Sequence, residues 1–147
     1  MATEKPNQNE NPNPNQNKNP VQSDNLAQNF LYLQPSENLV TPLVSHLLDS
    51  TNYHSWSHLV IIVLSAKNKL EFIKGLIPQP SELDPTFASW IRCNNMVASW
   101  LVHSIFVPIR KSIIWMEKAL DVWSDLKAHF SQGDLSRIFD LQMEASF

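Results

Sequence analysis

Two histidines four residues apart are the first feature of this sequence that could support chemistry. His54 and His58 lie in the stretch NYHSWSHLV, at the start of an apolar run. On a helix they would share one face, as two zinc ligands do, but helical zinc hydrolases carry a glutamate between the histidines as general base. Here the intervening residues are Ser, Trp and Ser. A third ligand would have to come from His46, His103 or His129. We therefore expect no metal site, and interpret the pair as polar residues flanking a tryptophan.

The glycine and cysteine content argues against several further kinds of active site. The chain has two glycines, Gly75 and Gly133, and one cysteine, Cys93. The phosphate-binding GxxxxGK(S/T) loop, the GxGxxG dinucleotide turn and the GxSxG elbow each need glycines at fixed spacing, which this chain lacks. One cysteine allows no internal disulfide, and in a helix it is expected to be a small buried hydrophobe. The sequence therefore predicts a protein that is not an enzyme, with no catalytic residue, no cofactor and no small-molecule substrate.

Charge and hydropathy limit the partners. The 147 residues carry a formal net charge of −3 with 11 Lys and Arg, whereas proteins that neutralise phosphates usually have a basic surplus. The N-terminus lacks the apolar core of a signal peptide. The longest aliphatic run, residues 59–64, is far shorter than the roughly 20 residues needed to cross a bilayer. We expect a cytoplasmic protein that does not bind membranes.

The chain divides into a tail and one domain. Residues 1–28 form an Asn/Pro/Gln-rich stretch in which asparagine occupies every odd position from 7 to 19, and this composition predicts disorder. Residues 29–147 carry the apolar side chains of a domain. At its entry, Pro35 and Pro42 exclude a long helix. The apolar pairs at 39–40 and 43–44 either form a short extended pairing or pack on the domain, and the sequence leaves both open.

Helical periodicity begins after residue 49. The pattern predicts a helix over about 53–68, capped by Thr51 or Asn52, and a short turn that Gly75 ends. A second long helix is predicted from Asp84 as N-cap and Pro85 as first residue to about residue 105.

The C-terminal half is expected to contain three more helical segments. Pro108 can start a short one, another covers about 117–131 and closes at Gly133, and Asp134 opens the last. About five helices with no alternating strand pattern predict an all-α domain. We expect Trp56, Trp90, Trp123 and Phe130 to anchor its core, with Trp100 offset toward a second neighbour.

Three stretches resemble one known family. They are LLDSTNYHSWSHLVIIVLSAKNKLEFIKGLIPQP at 47–80, WIRCNNMVASWL at 90–101 and VWSDLKAHFSQG at 122–133. In this order they are similar to the N-terminal Gag-type domain of plant Copia-class LTR retrotransposons. The positions that carry the resemblance are Asn52, Tyr53, Trp56, Gly75, Trp90, Cys93, Trp100, Trp123 and Phe130.

The resemblance implies a structural protein that self-associates into a capsid-like particle around element RNA. It implies that RNA is contacted through a downstream zinc knuckle, which this chain lacks, and that the domain is cut short at its C-terminus. Ile113, Ile114, Trp115 and Met116 are candidates for self-association, or they simply complete the core. The alternative function is a nucleic-acid- or host-protein-binding module, a relic of such an element or domesticated from it. Its basic face would draw on Lys67, Lys69, Lys74, Arg92, Arg110, Lys111 and Arg137.

Overall fold

The secondary structure is helical. The structure, a computed structural model, describes Thr3 and residues 30–145, with the backbone alone from residue 133 onward. Between residues 32 and 145 it contains α1 (Tyr53–Ala66), α2 (Glu71–Lys74), α3 (Phe87–His103), a 3-10 helix (Val107–Ser112) and α4 (Ala119–Ala145). This part of the chain has no β-strand, and an isolated parallel bridge joins Leu48 to Ile105. The expected all-α fold of about five helices is confirmed. The proposed tail, residues 1–28, lies outside the described residues apart from Thr3.

Helix α1 begins directly after Asn52, as its sequence predicts, but Asn52 does not cap it with its side chain. Its Oδ1 accepts a 2.9 Å hydrogen bond from the Asp49 N–H, and its Nδ2 donates one of 2.9 Å to the Leu47 carbonyl. The amide therefore closes the loop that leads into the helix. The buried face of α1 repeats at intervals of three and four residues and comprises Tyr53, Trp56, Val60 and Leu64.

Gly75 ends α2 in the way that its sequence position predicts. Its φ of +70° is in the left-handed region, and the Leu76 N–H behind it donates a 3.1 Å hydrogen bond to the Glu71 carbonyl. A Cβ at this position would lie 3.2 Å from Leu120 Cδ2. Both the backbone conformation and the close approach of α4 therefore favour glycine here.

Helix α3 starts later than predicted. Its first residue is Phe87, two residues after the expected Pro85. Asp84 still organises the entry, because its Oδ1 accepts hydrogen bonds from the Thr86 N–H (2.8 Å) and the Thr86 hydroxyl (2.7 Å). These two bonds lower the pKa of the exposed Asp84 carboxyl. The predicted cap residue thus stabilises a turn that precedes the helix.

Helix α4 is one long helix, whereas the sequence predicted two helices in this C-terminal region. The backbone is helical without interruption from Ala119 through Gly133 to Ala145, so the break at Gly133 and the separate helix from Asp134 were wrong. Glycine ends a helix where the chain turns into the left-handed region, as at Gly75. Inside a helix it costs only about 1 kcal/mol relative to alanine. The residue type alone did not distinguish the two cases.

The first turn of α4 is capped by a side chain of α3. Asn94, which is buried, accepts a 2.9 Å hydrogen bond from the Ala119 N–H and donates one of 2.7 Å to the Glu117 carbonyl. One amide therefore satisfies a donor and an acceptor at the helix start, where the first N–H groups have no intrahelical partner. This contact links α3 directly to the beginning of α4.

The core lies where α4 packs against α1, α2 and α3. Trp56 and Trp100 are 1% and 2% exposed and are the largest fully buried side chains. Trp123 and Phe130, expected as anchors, are only partly buried and pack against this core. Helix α4 presents Ala119, Val122 and Leu126 to the centre. Trp123 follows Val122 and lies at the edge of this face, and Phe130 lies one helical turn beyond Leu126.

For the apolar pairs at 39–40 and 43–44, the sequence left open whether they form an extended pairing or pack on the domain. Val44 is buried in the core and Leu43 packs against it, whereas Leu39 and Val40 are 48% and 63% exposed. No strand pairing forms at these positions in the described chain. The second pair therefore packs on the domain, and the only bridge formed nearby is that of Leu48.

Candidate interaction surfaces

The histidines do not converge. His54 and His58 are both on the exposed side of α1, and the ring of His54 lies edge-on to Tyr53 with centroids 5.9 Å apart. Elsewhere, Nδ1 of His103 lies 2.8 Å from the Ser99 carbonyl. Within the residues that the structure describes, no group of three His, Cys, Asp or Glu side chains is placed to hold a metal ion.

Cys93 and Lys69 are buried and hold the entry segment to the domain. The Cys93 thiol donates a 3.3 Å hydrogen bond to the Leu31 carbonyl, and Lys69 Nζ donates one of 2.8 Å to the carbonyl of Tyr32. Burial raises the pKa of the Cys93 thiol and lowers the pKa of the Lys69 ammonium, because each charged form loses its hydration. A thiol with a raised pKa contains little thiolate at neutral pH, so this geometry favours a structural cysteine over a nucleophile.

Three tryptophans use their indole N–H groups to hold irregular backbone against the helices. Nε1 of Trp56, Trp90 and Trp100 donates to the carbonyls of Ser104, Ile77 and Asn38, each at 2.9 Å. A buried indole needs one acceptor, and a loop carbonyl needs one donor. These three tryptophans therefore fasten the entry segment, the α2–α3 loop and the end of α3.

Ser104 forms hydrogen bonds with several distant segments through both its backbone carbonyl and its hydroxyl group. Its carbonyl accepts the N–H groups of Trp56 and Leu48, both at 2.9 Å. Its hydroxyl donates to the Trp100 carbonyl at 2.7 Å and accepts the Leu43 N–H at 2.8 Å. Sequence reasoning missed Ser104 and Asn94, since a lone serine or asparagine within a helical pattern carries no signal of such partners.

The entry segment, α1, α2 and the loop after them form one continuous stretch of sequence, and most of this stretch is similar to one known family. Residues 34–81 match the Gag-polypeptide of LTR copia-type. This Gag-type segment covers about one third of the chain and contains Asn52, Tyr53, Trp56 and Gly75. The resemblance to Copia-type Gag is confirmed for it. No curated protein and no solved structure matches the chain significantly.

Residues 113–116, which were proposed for self-association, lie C-terminal to the Gag-type segment. Some of their side chains are buried and others are exposed. Ile113 is 1% exposed and belongs to the core, and Met116 is partly buried against it. Ile114 and Trp115 are 58% and 87% exposed. Phe106 and Val107, at the start of the 3-10 helix, are 50% and 60% exposed. The segment between α3 and α4 therefore presents several large apolar side chains to solvent.

Three of the basic residues proposed for a shared face are held by contacts within the fold. Lys67 pairs with Glu37 at 3.0 Å, and Lys69 is buried. Nε of Arg110 donates a 2.9 Å hydrogen bond to the backbone carbonyl of residue 105. Of Arg137 only the backbone is described. Lys67, Lys69 and Arg110 are therefore occupied by partners within the described domain.

One pair of lysines is brought together by the fold. Lys74 at the end of α2 and Lys127 in α4 both line an open groove of about 810 Å3. Its remaining lining is Ile73, Leu76, Trp123, Ser124, Ala128, Ser131 and Gln132. The two lysines are far apart in sequence, so no spacing could have indicated that they share a groove.

Within the part of the chain that the structure describes, no helix combines the length and the apolar character needed to cross a bilayer.

Proposed function

We propose that this chain is a non-enzymatic Gag-like structural protein of a plant Copia-type retrotransposon, which associates with copies of itself in the cytoplasm and forms or regulates a capsid-like particle around element RNA. The observation that carries the proposal is the match of residues 34–81 to the Copia-type Gag-polypeptide, a structural and non-catalytic family. The fold supports it, since the side chains at the motif positions serve to fasten backbone segments together.

The surface through which the copies associate is the segment between α3 and α4. We define the apolar segment as Phe106, Val107, Ile114 and Trp115, which are all at least half exposed. Trp115 is the most exposed of them, and large apolar side chains concentrated in a short stretch are typical of protein interaction sites. Aromatic residues contribute strongly at such interfaces. Ile113 and Met116, which lie next to it in the sequence, belong to the core or pack against it.

The test is the molar mass of the purified chain as a function of concentration, measured by light scattering and sedimentation. We expect the parent protein to associate as its concentration rises. The double substitution Ile114→Ser with Trp115→Ser should shift the protein toward the monomer. Leu83→Ser is the control, because Leu83 is 94% exposed and lies in the α2–α3 loop, which is not part of the apolar segment.

Two results would overturn the assignment. If the parent is a strict monomer at high micromolar concentration, self-association by this chain is wrong. If the double variant associates as strongly as the parent while its helical circular dichroism is unchanged, the apolar segment is not the interface.

The second candidate function is a nucleic-acid- or host-protein-binding module, domesticated from such an element or left as its relic. The two lysines that share the groove between α2 and α4 favour binding of nucleic acid over binding of a host protein.

A further inference from the structure

The groove between α2 and α4 is called the α2–α4 groove below. The charge of its lining is opposite in sign to the net charge of the chain. The chain has a net charge of −3, yet the groove contains Lys74 and Lys127 and no Asp or Glu. Both lysines are exposed, and neither forms an ion pair within residues 30–132. Asp121 and Asp125 are on the same helix as Lys127, but they do not line the groove. The lining of the groove therefore carries two positive charges and no negative charge, although Glu71 lies on the same helix as Lys74.

Trp123 adds an aromatic surface to this groove. Its ring stacks on Trp56 with centroids 5.8 Å apart and an interplanar angle of 26°, which covers one side. The side chain is nevertheless only partly buried, and it lines the groove. Unlike the indoles of Trp56, Trp90 and Trp100, its N–H donates to no atom of residues 30–132. The ring is thus held by Trp56, while the side chain borders the groove, and a ring in this position can offer an aromatic contact to a ligand.

Polar groups complete the lining. The Ser124 hydroxyl and the Gln132 amide border the groove, and they can donate and accept hydrogen bonds. The Ser131 hydroxyl already donates to the Lys127 carbonyl at 2.6 Å, which leaves its lone pairs as acceptors. A ligand that satisfies this set needs negative charge for the lysines, a flat ring for Trp123 and polar edges for the serines and the amide.

We propose that the α2–α4 groove binds single-stranded nucleic acid, with Lys74 and Lys127 contacting phosphates while a base stacks on Trp123. Single strands offer unstacked bases and a charged backbone together, and proteins bind them with cations beside aromatic platforms. An acidic peptide without aromatic residues would match the two lysines and the amide but would leave the aromatic surface without a matching partner. The proposal rests on the second candidate function and specifies its site and ligand, and it does not depend on self-association, because the apolar segment is formed by other residues.

The experiment is binding of a labelled single-stranded oligonucleotide of about 12 residues, as RNA and as DNA of the same sequence, followed by fluorescence anisotropy. Two phosphate contacts on a single strand predict a slope of about −1.4 for log K against log salt, or about a sevenfold loss from 50 to 200 mM salt. Adenosine monophosphate should bind more weakly than the oligonucleotide. An equal affinity for both would identify a mononucleotide site and overturn the proposal of a strand.

Paired charge reversals locate the site. Lys74→Glu with Lys127→Glu should weaken oligonucleotide binding at least tenfold. Lys111→Glu with Lys118→Glu changes the net charge equally at exposed lysines outside the groove, and it should weaken binding only slightly. All four lysines are exposed, so the melting temperature is expected to stay close to that of the parent. Equal losses in the two pairs would show that net charge alone governs binding, which overturns the assignment.

The stacking role of Trp123 needs a separate readout. Oligonucleotide titration should quench the tryptophan fluorescence of the parent, and Trp123→Phe should remove most of that quenching while the other indoles remain. Quenching that is unchanged in Trp123→Phe would contradict stacking at this site. An acidic peptide of similar length that competes as well as the oligonucleotide would show that the groove binds anions of another class. Absence of oligonucleotide binding at about 100 μM protein and low salt would overturn the proposal itself.

Discussion

The indole Nε1 of Trp56 donates a 2.9 Å hydrogen bond to the backbone carbonyl of Ser104, 48 residues away in the sequence. This contact joins the first turn of α1 to the end of α3. The same carbonyl accepts the Leu48 N–H, and Leu48 bridges to Ile105. The C-terminal end of α3 is thereby tied to the segment that precedes α1.

Replacing Trp56 tests how much this junction contributes to stability. Trp56→Phe removes the indole donor and part of a fully buried ring, so it should lower the free energy of unfolding by about 2 kcal/mol. Trp123→Phe, in the ring that stacks on Trp56, should cost about half as much because the side chain is only partly buried and its N–H has no partner in residues 30–132. Urea denaturation of both variants measures the difference. Equal losses would contradict a role for the hydrogen bond.

Asn94 provides a test of the cap that one helix supplies to another. Asn94→Asp keeps the acceptor for the Ala119 N–H but loses the donor to the Glu117 carbonyl and places a charge in a buried site. We expect a loss of about 3 kcal/mol in the free energy of unfolding. Asn95→Asp, at the exposed neighbouring position, should change it by less than about 0.5 kcal/mol. A mild effect at Asn94 would mean that α4 is capped in another way.

The two glycines are predicted to respond in opposite directions to the same substitution. Gly75→Ala places a Cβ at a φ of +70° and 3.2 Å from Leu120 Cδ2, so it should destabilise the protein by about 1–2 kcal/mol. Gly133→Ala lies within the continuous helix α4 and should stabilise it by about 0.5–1 kcal/mol. Thermal melts of both variants provide the comparison. A destabilising Gly133→Ala would indicate that the helix is broken there.

Asp84 should give a pH-dependent contribution to stability. Hydrogen bonds from Thr86 lower the pKa of the Asp84 carboxyl below its ordinary value. The carboxylate therefore stabilises the folded state fully above the unfolded pKa, and this contribution disappears as the pH falls through the folded pKa. Asp84→Ala should accordingly lower the melting temperature at pH 7 and differ less from the parent as the pH falls below about 4.

The matched control for Asp84 is Glu82→Ala, which removes another exposed carboxylate from the same loop. Subtracting the change in melting temperature caused by Glu82→Ala from that caused by Asp84→Ala leaves the part that belongs to the contacts with Thr86. A difference between Asp84→Ala and the parent that stays constant down to about pH 3 would contradict the assigned hydrogen bonds.

Much of the fold could be predicted from local spacing. The apolar repeat of α1, the glycine that ends α2 and the proline at the start of the 3-10 helix are signals within a few residues, and each structural feature formed where it was expected, to within two or three residues. The start of α3 was displaced because the Asp84 side chain satisfies the Thr86 N–H in a turn rather than in the helix. The break at Gly133 was wrong because a glycine by itself does not distinguish a helix end from a helix interior.

By itself the sequence determined the all-α class, the helical faces, the absence of glycine-dependent catalytic loops and the Copia-type Gag motif of residues 34–81. Only the tertiary structure decided that Trp100 rather than Trp123 occupies the centre, that Ser104 and Asn94 join distant segments, and that Lys74 and Lys127 share one groove. The physical reason is the range of the interactions. Helix periodicity and turn geometry depend on neighbouring residues, whereas burial and side-chain hydrogen bonding depend on which surfaces meet when the helices pack.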